Sequence, residues 1–595
     1  MLVCLIFKDL LLERAVGMSE VCVELVGKLV GEMLGLSKEE LSPSDNLISL
    51  GLGSLDIMRI AGLLTKNGCN VTFSELVSNP CMASWVNFAR ERSARSSSNG
   101  SPLLGSANYS KGDPFPITSV QHAYMVGRRD GQELGGTACH AYMEFECGSL
   151  DAAKLERAVE LLILRHPMLR ARFSDDGTAR IEDKVTWKGL TTYRVEGAGN
   201  PDSRIEGIRQ ELSHLRFDIE QDDLIDVRLT VVSPKRTIMH INVDLLAADV
   251  LSIQVLLEDL AHLYDGTDLA PIEIDFMEYA RRTGIGEDAR NEDREYWLNR
   301  IDNMPGGPSL PLKAPMESVK RSQFTRMEYL IDSKSWKNFT EKGRQIGVTQ
   351  SMGIAAVYAK ALSRWSEDKK FLLNLPLFNR KPIHPDVDKI VSDFTSLILL
   401  EADCANAISL LELASQMQGR FQQDVAHSSF GAVEVLRELS HRCPNDPKKA
   451  PVVFASNIGT QFISNKVEDV FGPLSKMLAE TPQVLLDHQI YDHKNGLLLA
   501  WDYVSELLDD KIAKQMFEAY CTAVRFYCEN DWSEPFPDLL PPSQRAARAE
   551  ANSEGADLGG GTLHGRFFAR AQAEPDAPAL RWGADGEATY GELAG

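Results

Sequence analysis

Between Thr237 and Ser252 the chain changes its hydrophobic period. Met239, Ile241 and Val243 alternate with His240, Asn242 and Asp244, the spacing of a half-buried strand. After Asp249, Ile253, Leu256, Leu257, Leu260 and Tyr264 recur at steps of three and four, so a helix follows with Asp249 at its start. Val21, Val23, Leu25, Val26, Leu29 and Val30 supply an earlier apolar stripe, and Leu55, Met58, Ile60, Leu63 and Leu64 mark a helix that Ser54 opens. Further on, Val348–Trp365 and Leu410–Phe421 read as helices and Lys370–Leu375 and Ser396–Leu400 as strands. Lys494-Asn-Gly496 ahead of Leu497-Leu-Leu-Ala-Trp501 is a hairpin signal. A helical N-terminal region followed by a larger α/β region is the predicted architecture.

Two stretches break the pattern. Residues 94–112 hold Ser-Ser-Ser-Asn-Gly-Ser-Pro, and residues 536–562 are rich in Pro, Ala, Ser and Gly, compositions that read as linkers. They divide the 595 residues into expected domains at 18–93, 113–535 and 563–595. The start, Met1–Val16, has only a short apolar run broken by Lys8, Asp9, Glu13 and Arg14, so neither a signal peptide nor a membrane span is expected. Periodic pattern begins near Met18. With 63 basic against 85 acidic side chains the formal charge is −22, which argues against a nucleic-acid partner. Ten scattered cysteines without a C-x-x-C pair suggest neither a disulfide framework nor a metal site; reduced thiols and a cytoplasmic setting are expected.

Two positions invite chemistry. Asp249 has an ordinary role open to it as an N-cap, yet a second carboxylate, Asp244, ends the preceding strand, and the turn between them is apolar, where an unpaired carboxylate is costly. Ser54 is an acceptable N-cap too, but a hydroxyl at a helix N-terminus also suits a phosphodiester, favoured by free N–H groups and the helix dipole.

The Asp244-x-x-x-x-Asp249 stretch resembles the signature of heterocyclization domains of nonribosomal peptide synthetases. The likeness continues in order through Phe115-Pro-Ile-Thr-Ser-Val-Gln-His-Ala-Tyr-Met-Val-Gly-Arg128, Arg165-His-Pro-Met-Leu-Arg-Ala-Arg-Phe173, Ser392-Asp-Phe-Thr-Ser-Leu397, Pro451-Val-Val-Phe-Ala-Ser-Asn457 and Thr481-Pro-Gln-Val-Leu-Leu-Asp-His-Gln489. Residues 18–93 resemble an aryl carrier domain, with Gly53 where the family has Asp before the serine. Leu563-His-Gly-Arg-Phe-Phe-Ala-Arg570 and Thr589-Tyr-Gly-Glu-Leu593 look like the opening of an adenylation domain. The whole is similar to the first module of siderophore synthetases of the pyochelin and yersiniabactin type.

The resemblance implies a four-helix carrier bundle, then two chloramphenicol-acetyltransferase-like lobes, approximately 113–303 and 304–535, meeting at a tunnel. It implies 4′-phosphopantetheine on Ser54, attached by a phosphopantetheinyl transferase, and an aryl group such as salicyl supplied by an aryl-activating adenylation enzyme. A downstream cysteinyl carrier and the remainder of the synthetase are the other implied partners. The reaction would be amide formation followed by cyclodehydration to a thiazoline, or an oxazoline from Ser or Thr. Condensation domains carry His-His-x-x-x-Asp-Gly at the turn; here the second His is absent, and His240 falls within the strand, where it reads as structural. Asp487 matches the aspartate assigned to cyclodehydration. Its usual Thr partner is Ala455, so Ser456 or Asn457 would take over, or Asn374 would pair with Asp487. Gln483 would orient a carbonyl, and Asp249 would pair with Arg380 in a bidentate, mainly architectural contact. Two alternatives stay open: a condensation-only acyltransferase, favoured by Ala455, and a non-catalytic docking scaffold, favoured by Gly53.

Overall fold

The period change at Asp249 is a strand-to-helix turn. Arg236–Asp244 is a strand and Val250–Tyr264 a helix, and Asp249 caps it by accepting the Ser252 N–H on Oδ1 at 2.7 Å. The strand departs from expectation in one respect: both its faces are buried. His240, on the polar face, meets Tyr142 Oη at 2.8 Å and Thr230 Oγ1 at 2.8 Å, while Arg209 binds the neighbouring Glu144 from a covering helix, Pro201–Leu212. Polar groups tolerate burial here because they satisfy one another. Burial holds the His240 imidazole down at about 4, so it is neutral and structural.

The chain is described from a computed structural model at residues 24–96 and 112–595, except 35, 38, 39, 67, 68, 70, 72, 197–199, 285–290, 379, 382, 444–447, 554–561 and 583–585. The Met1–Val16 start and residues 97–111 of the first expected linker lie outside the described residues. Two units divide at Leu539 and Leu540.

In the first unit the carrier region has helices at 24–34, Ser54–Lys66, Phe73–Ser78 and Met82–Ser96, with a single extra turn at Leu47–Leu50. Val26, Val30, Ile57, Ile60, Leu64, Leu76 and Trp85 form its core, and Trp85 Nε1 donates to Leu76 O at 2.9 Å. It rests on the larger region. Arg344 donates to Leu50 O, a Cβ on Gly51 would come within 3.0 Å of that guanidinium, and the helix Ser54–Lys66 touches the strand Val452–Gln461.

Beside a small three-stranded sheet of Phe115–Pro116, Thr178–Ile181 and Ala171–Ser174, two larger sheets make up the larger region. One runs Leu474–Glu480, His140–Cys147, Arg236–Asp244, Ile225–Ser233, Thr191–Arg194. The other runs Thr395–Asp403, Lys370–Phe378, Val452–Gln461, Leu486–His493, Gly496–Val504, Phe324–Asp332. Leu474–Glu480 corrects the expected lobe boundary, because this late segment pairs antiparallel with His140–Cys147 and completes the first lobe's sheet. Lobes stitched by a shared strand cannot be cut at one sequence position. The hairpin forms as expected, and Gly496, at φ 139°, is required there: a Cβ would sit 1.8 Å from Ile331 O.

The second unit contains the helix Pro542–Ser553, then Leu563–Ala573, a two-stranded hairpin of Pro578–Trp582 and Gly586–Thr589, and Tyr590–Ala594. The expected linker 536–562 contains the helix at 542–553, which has four alanines and two arginines among its twelve residues, strong helix formers, and buries none of them. Among the described residues no helix is long and apolar enough to cross a membrane. Among the described residues seven cysteines are free thiols, and Cys69 is disulfide-bonded, which departs from the expected reduced set.

Candidate active site

The opening motif and the aspartate turn form one assembly. Thr118 and Gln121 make a reciprocal capping box at the start of the helix Ser119–Gly127, and Gln121 Nε2 reaches on to Leu246 O at 2.8 Å. From the end of that helix Arg128 places Nη1 and Nη2 at 3.1 Å from Asp244 Oδ2, while Asp244 Oδ1 accepts Leu246 N. Asp249 Oδ1 accepts Arg380 Nη2 at 2.9 Å and its Oδ2 accepts Phe394 N at 3.3 Å. The Asp249–Arg380 contact therefore uses one nitrogen rather than a fork. The same nitrogen also meets Ser252 Oγ, Nη1 donates to the carbonyls of Val387 and Ile390, the guanidinium lies over the face of Phe394, and Nε has no hydrogen-bond partner. Both carboxylates brace the turn, and Asp244 is not among the residues lining the adjoining cavity.

That cavity, about 550 Å³, lies between the two sheets. Val453, Ala455 and Asn457 stand in parallel register with Asp487, Gln489 and Tyr491, so alternate side chains of both strands face it. Asn374 joins them from the next strand, opposite Val453. Ser456 does not. One residue along the strand, it points to the other face and meets Ser351 Oγ at 2.7 Å, whereas Asn457 lines the cavity. Gln483 lines the cavity with φ 64°, a left-handed conformation costly for a side-chain-bearing residue, and its N–H donates to the carbonyl of Leu134, itself at φ 52°.

Asp487 is 6% exposed and ends a relay of buried groups. Asp502 receives Arg326 at 2.7 and 2.5 Å, Arg326 Nη2 donates to Gln489 Oε1 at 2.9 Å, and Gln489 Nε2 donates to Asp487 Oδ2 at 2.6 Å. Tyr491 Oη donates to the same Gln489 oxygen at 2.5 Å, which fixes the orientation of its amide. Oδ1 of Asp487 has no hydrogen-bond partner, nor has Oδ1 of Asn374. Burial, then the Asp502 carboxylate, push Asp487 up to about 7 against the opposing pull of Gln489 and Arg326. A carboxyl so placed can hold or release a proton near neutrality.

Gln489, Tyr491, Arg326 and Asp502 were not singled out by sequence. Gln489 and Tyr491 follow Asp487 at period two, a signal that was available; Arg326 arrives from a strand more than 150 residues earlier and left none.

At the carrier, Ser54 is the first residue of its helix, and Gly53 N donates to Asp56 Oδ2 at 2.9 Å. A serine opening a helix, whose first N–H groups have no intrahelical partner, is chemically suited to bear a phosphodiester.

The profile of the Condensation domain matches residues 115–530, and that of the Phosphopantetheine attachment site matches residues 24–89. The chain belongs to the condensation-domain family. Its carrier region carries the phosphopantetheine attachment site. Phenyloxazoline synthase MbtB of Mycolicibacterium paratuberculosis is 35% identical over 578 residues, covering 95% of this chain and 49% of that protein. Pyochelin synthetase PchE of Pseudomonas aeruginosa is 34% identical over 579 residues, covering 96% of this chain and 40% of that protein. The chain thus spans about half, or less, of the length of these curated relatives. Among solved structures, the EpoB cyclization-docking bidomain of a nonribosomal peptide synthetase from Sorangium cellulosum aligns with a TM-score of 0.65 at 30% identity, covering 71% of this chain and 87% of that one.

Proposed function

We propose that the chain is a carrier and heterocyclization segment of a siderophore-type synthetase. An aryl acyl group, salicyl or a close analogue, is held on Ser54, joined to the amine of a carrier-bound cysteine, and cyclodehydrated to a thiazoline. The name of the phenyloxazoline synthase relatives keeps serine and threonine open as acceptors giving an oxazoline. 4′-Phosphopantetheine on Ser54 would supply the thiol that holds the acyl group as a thioester. The partners are a downstream cysteinyl carrier, an aryl-activating adenylation enzyme, a phosphopantetheinyl transferase and the remainder of the synthetase, in the cytoplasm. The segment 563–595 is read as the start of an adenylation domain from its sequence likeness.

One observation carries this reading: Asp487 faces the cavity with one oxygen held by Gln489 and the other unpartnered. Ring closure and water loss require a proton to reach a departing oxygen, and a carboxyl poised near neutrality serves that need. Gln489, pinned by Arg326 and Tyr491, holds Asp487 in place, and Asn374 offers an amide to the same space. Asp244 and Asp249, bound to Arg128 and Arg380, keep the turn in shape.

The condensation-only alternative rests on Ala455, which removes a hydroxyl from the cavity wall beside Gln489. Intact-protein mass spectrometry separates the two. The phosphopantetheinylated, salicyl-loaded chain is incubated with a cysteinyl carrier, and transfer with loss of one water is expected. Transfer with the water retained would leave amide formation alone, and absence of transfer from a loaded Ser54 would favour a docking scaffold.

A further inference from the structure

A second carboxyl without an ion pair lines the cavity and keeps an unpartnered oxygen. Asp393, 1% exposed, lines the same space, accepts Thr395 N on Oδ1 at 3.0 Å, and has no partner for Oδ2. The structure fixes its position closely. Ser392 O accepts the Asp249 N–H at 3.1 Å and the Ser252 hydroxyl at 2.7 Å, Ser392 N donates to Ser252 Oγ at 3.0 Å, and Phe394 N donates to Asp249 Oδ2. Four hydrogen bonds thus clamp the residues on either side of Asp393 onto the aspartate turn.

The other carboxylates of the lining are ion-paired. Both oxygens of Asp249 are engaged, one of them by Arg380, and Glu133 is paired through Oε2 with Lys449, its Oε1 unpartnered. Among the described lining residues, Asp393 and Asp487 are the carboxyls that combine a held oxygen with an unpartnered one and no ion pair. Leu245 and Ala248 supply the turn's own lining apart from Asp249 and cannot move a proton. Burial, the largest effect, with the nearby Asp249 carboxylate, pushes Asp393 up to about 7 against Thr395 and Arg380. Tyr124 lies within the influence of Asp393, Asp487 and Asp249, with its phenol held up by burial first.

We infer that Asp393 is the proton acceptor of the amide-forming step, and that Asp487 serves the dehydration. The inference rests on the proposed function above. In that step a C–N bond forms between the acceptor amine and the acyl carbonyl, and the carbon–sulfur bond breaks. The amine proton passes to Asp393 Oδ2 and on to the departing sulfur, which regenerates the carboxylate. The charged groups that shape the titration of Asp393 are Asp249 and Arg380, and the nearby titratable groups that its own charge raises are Tyr124 and Cys139.

The test compares wild type, Asp393→Asn and Asp487→Asn in single-turnover quench experiments, with the salicyl-loaded chain as donor and L-cysteinyl-pantetheine as acceptor. Asp393→Asn is expected to slow amide formation on the order of 100-fold, and Asp487→Asn to leave it near wild type while the uncyclised product accumulates. Preformed salicyl-cysteinyl-pantetheine is expected to cyclise at the wild-type rate on Asp393→Asn, which a general folding defect would prevent. Infrared difference spectra of the unloaded chain, between mildly acidic and mildly alkaline buffer, should lose one protonated-carboxyl band in each variant. Amide formation by Asp393→Asn at the wild-type rate overturns the assignment. So does equal loss of both reactions, which marks Asp393 as merely structural. Absence of amide from the loaded wild type would instead bring down the function on which the assignment rests.

Discussion

Replacing Asp487 by Asn tests the site through stability as well as activity. The folded chain holds the Asp487 proton up to about 7, against an ordinary value of 3.8. The folded state therefore binds this proton more tightly than the unfolded one, and stability is lost as pH rises from the ordinary value through about 7. In mildly alkaline buffer the wild type bears the whole cost, on the order of 4 kcal/mol at 1.36 kcal/mol per pH unit. Asn removes the charge but keeps the shape, and its carbonyl still accepts Gln489 Nε2, so the Gln489–Arg326–Asp502 chain stays intact. Asp393 is present in both proteins and cancels. Urea unfolding followed by tryptophan fluorescence, with Trp501 buried in the same lobe, should give Asp487→Asn the higher midpoint above neutrality. The two proteins should converge near pH 4. Cyclodehydration should be lost over the whole range. A stability difference independent of pH would refute the claim that this carboxyl is held protonated by burial.

Arg326→Met leaves Asp502 buried without its partner and frees Gln489, so a loss of about 3–5 kcal/mol is expected in urea unfolding, together with slower cyclodehydration. Arg380→Ala removes the bond to Asp249 and the contact with Phe394; a similar loss of about 3–5 kcal/mol should accompany lost activity, so the drop in midpoint identifies the role as architectural. Ala455→Thr returns a hydroxyl to the open cavity wall and should change stability by less than about 1 kcal/mol while raising the cyclised fraction in the mass-spectrometric assay. Arg344→Glu removes the donor to Leu50 O and should slow transfer from the tethered carrier more than from a free aryl thioester, measured by quench.

What was legible in the sequence was whatever is written within one element. The period change marked the Arg236–Asp244 strand and the helix after Asp249, because a strand repeats every second residue and a helix every three or four. Glycine and asparagine marked the hairpin because only a glycine fits at 496. Asp487 stood out from its apolar neighbours, but the same strand alternation carried Gln489 and Tyr491 into the cavity and turned Ser456 away, and a motif read as a string does not distinguish its odd positions from its even ones. Partners across the fold left weaker traces. Arg128 lies in the opening motif, yet nothing in that motif states that it ends on Asp244, more than 100 residues later. Arg326 reaches Asp502 because the strand Phe324–Asp332 happens to be the neighbour of Gly496–Val504, a fact of sheet order alone. Asp393 was inside a quoted motif and still overlooked as chemistry, since its distinguishing property is an oxygen without a partner, and that exists only once Ser392 and Phe394 are clamped to the turn. A carboxyl suited to proton transfer is thus defined less by its neighbours in sequence than by which of its two oxygens the surrounding structure leaves unused.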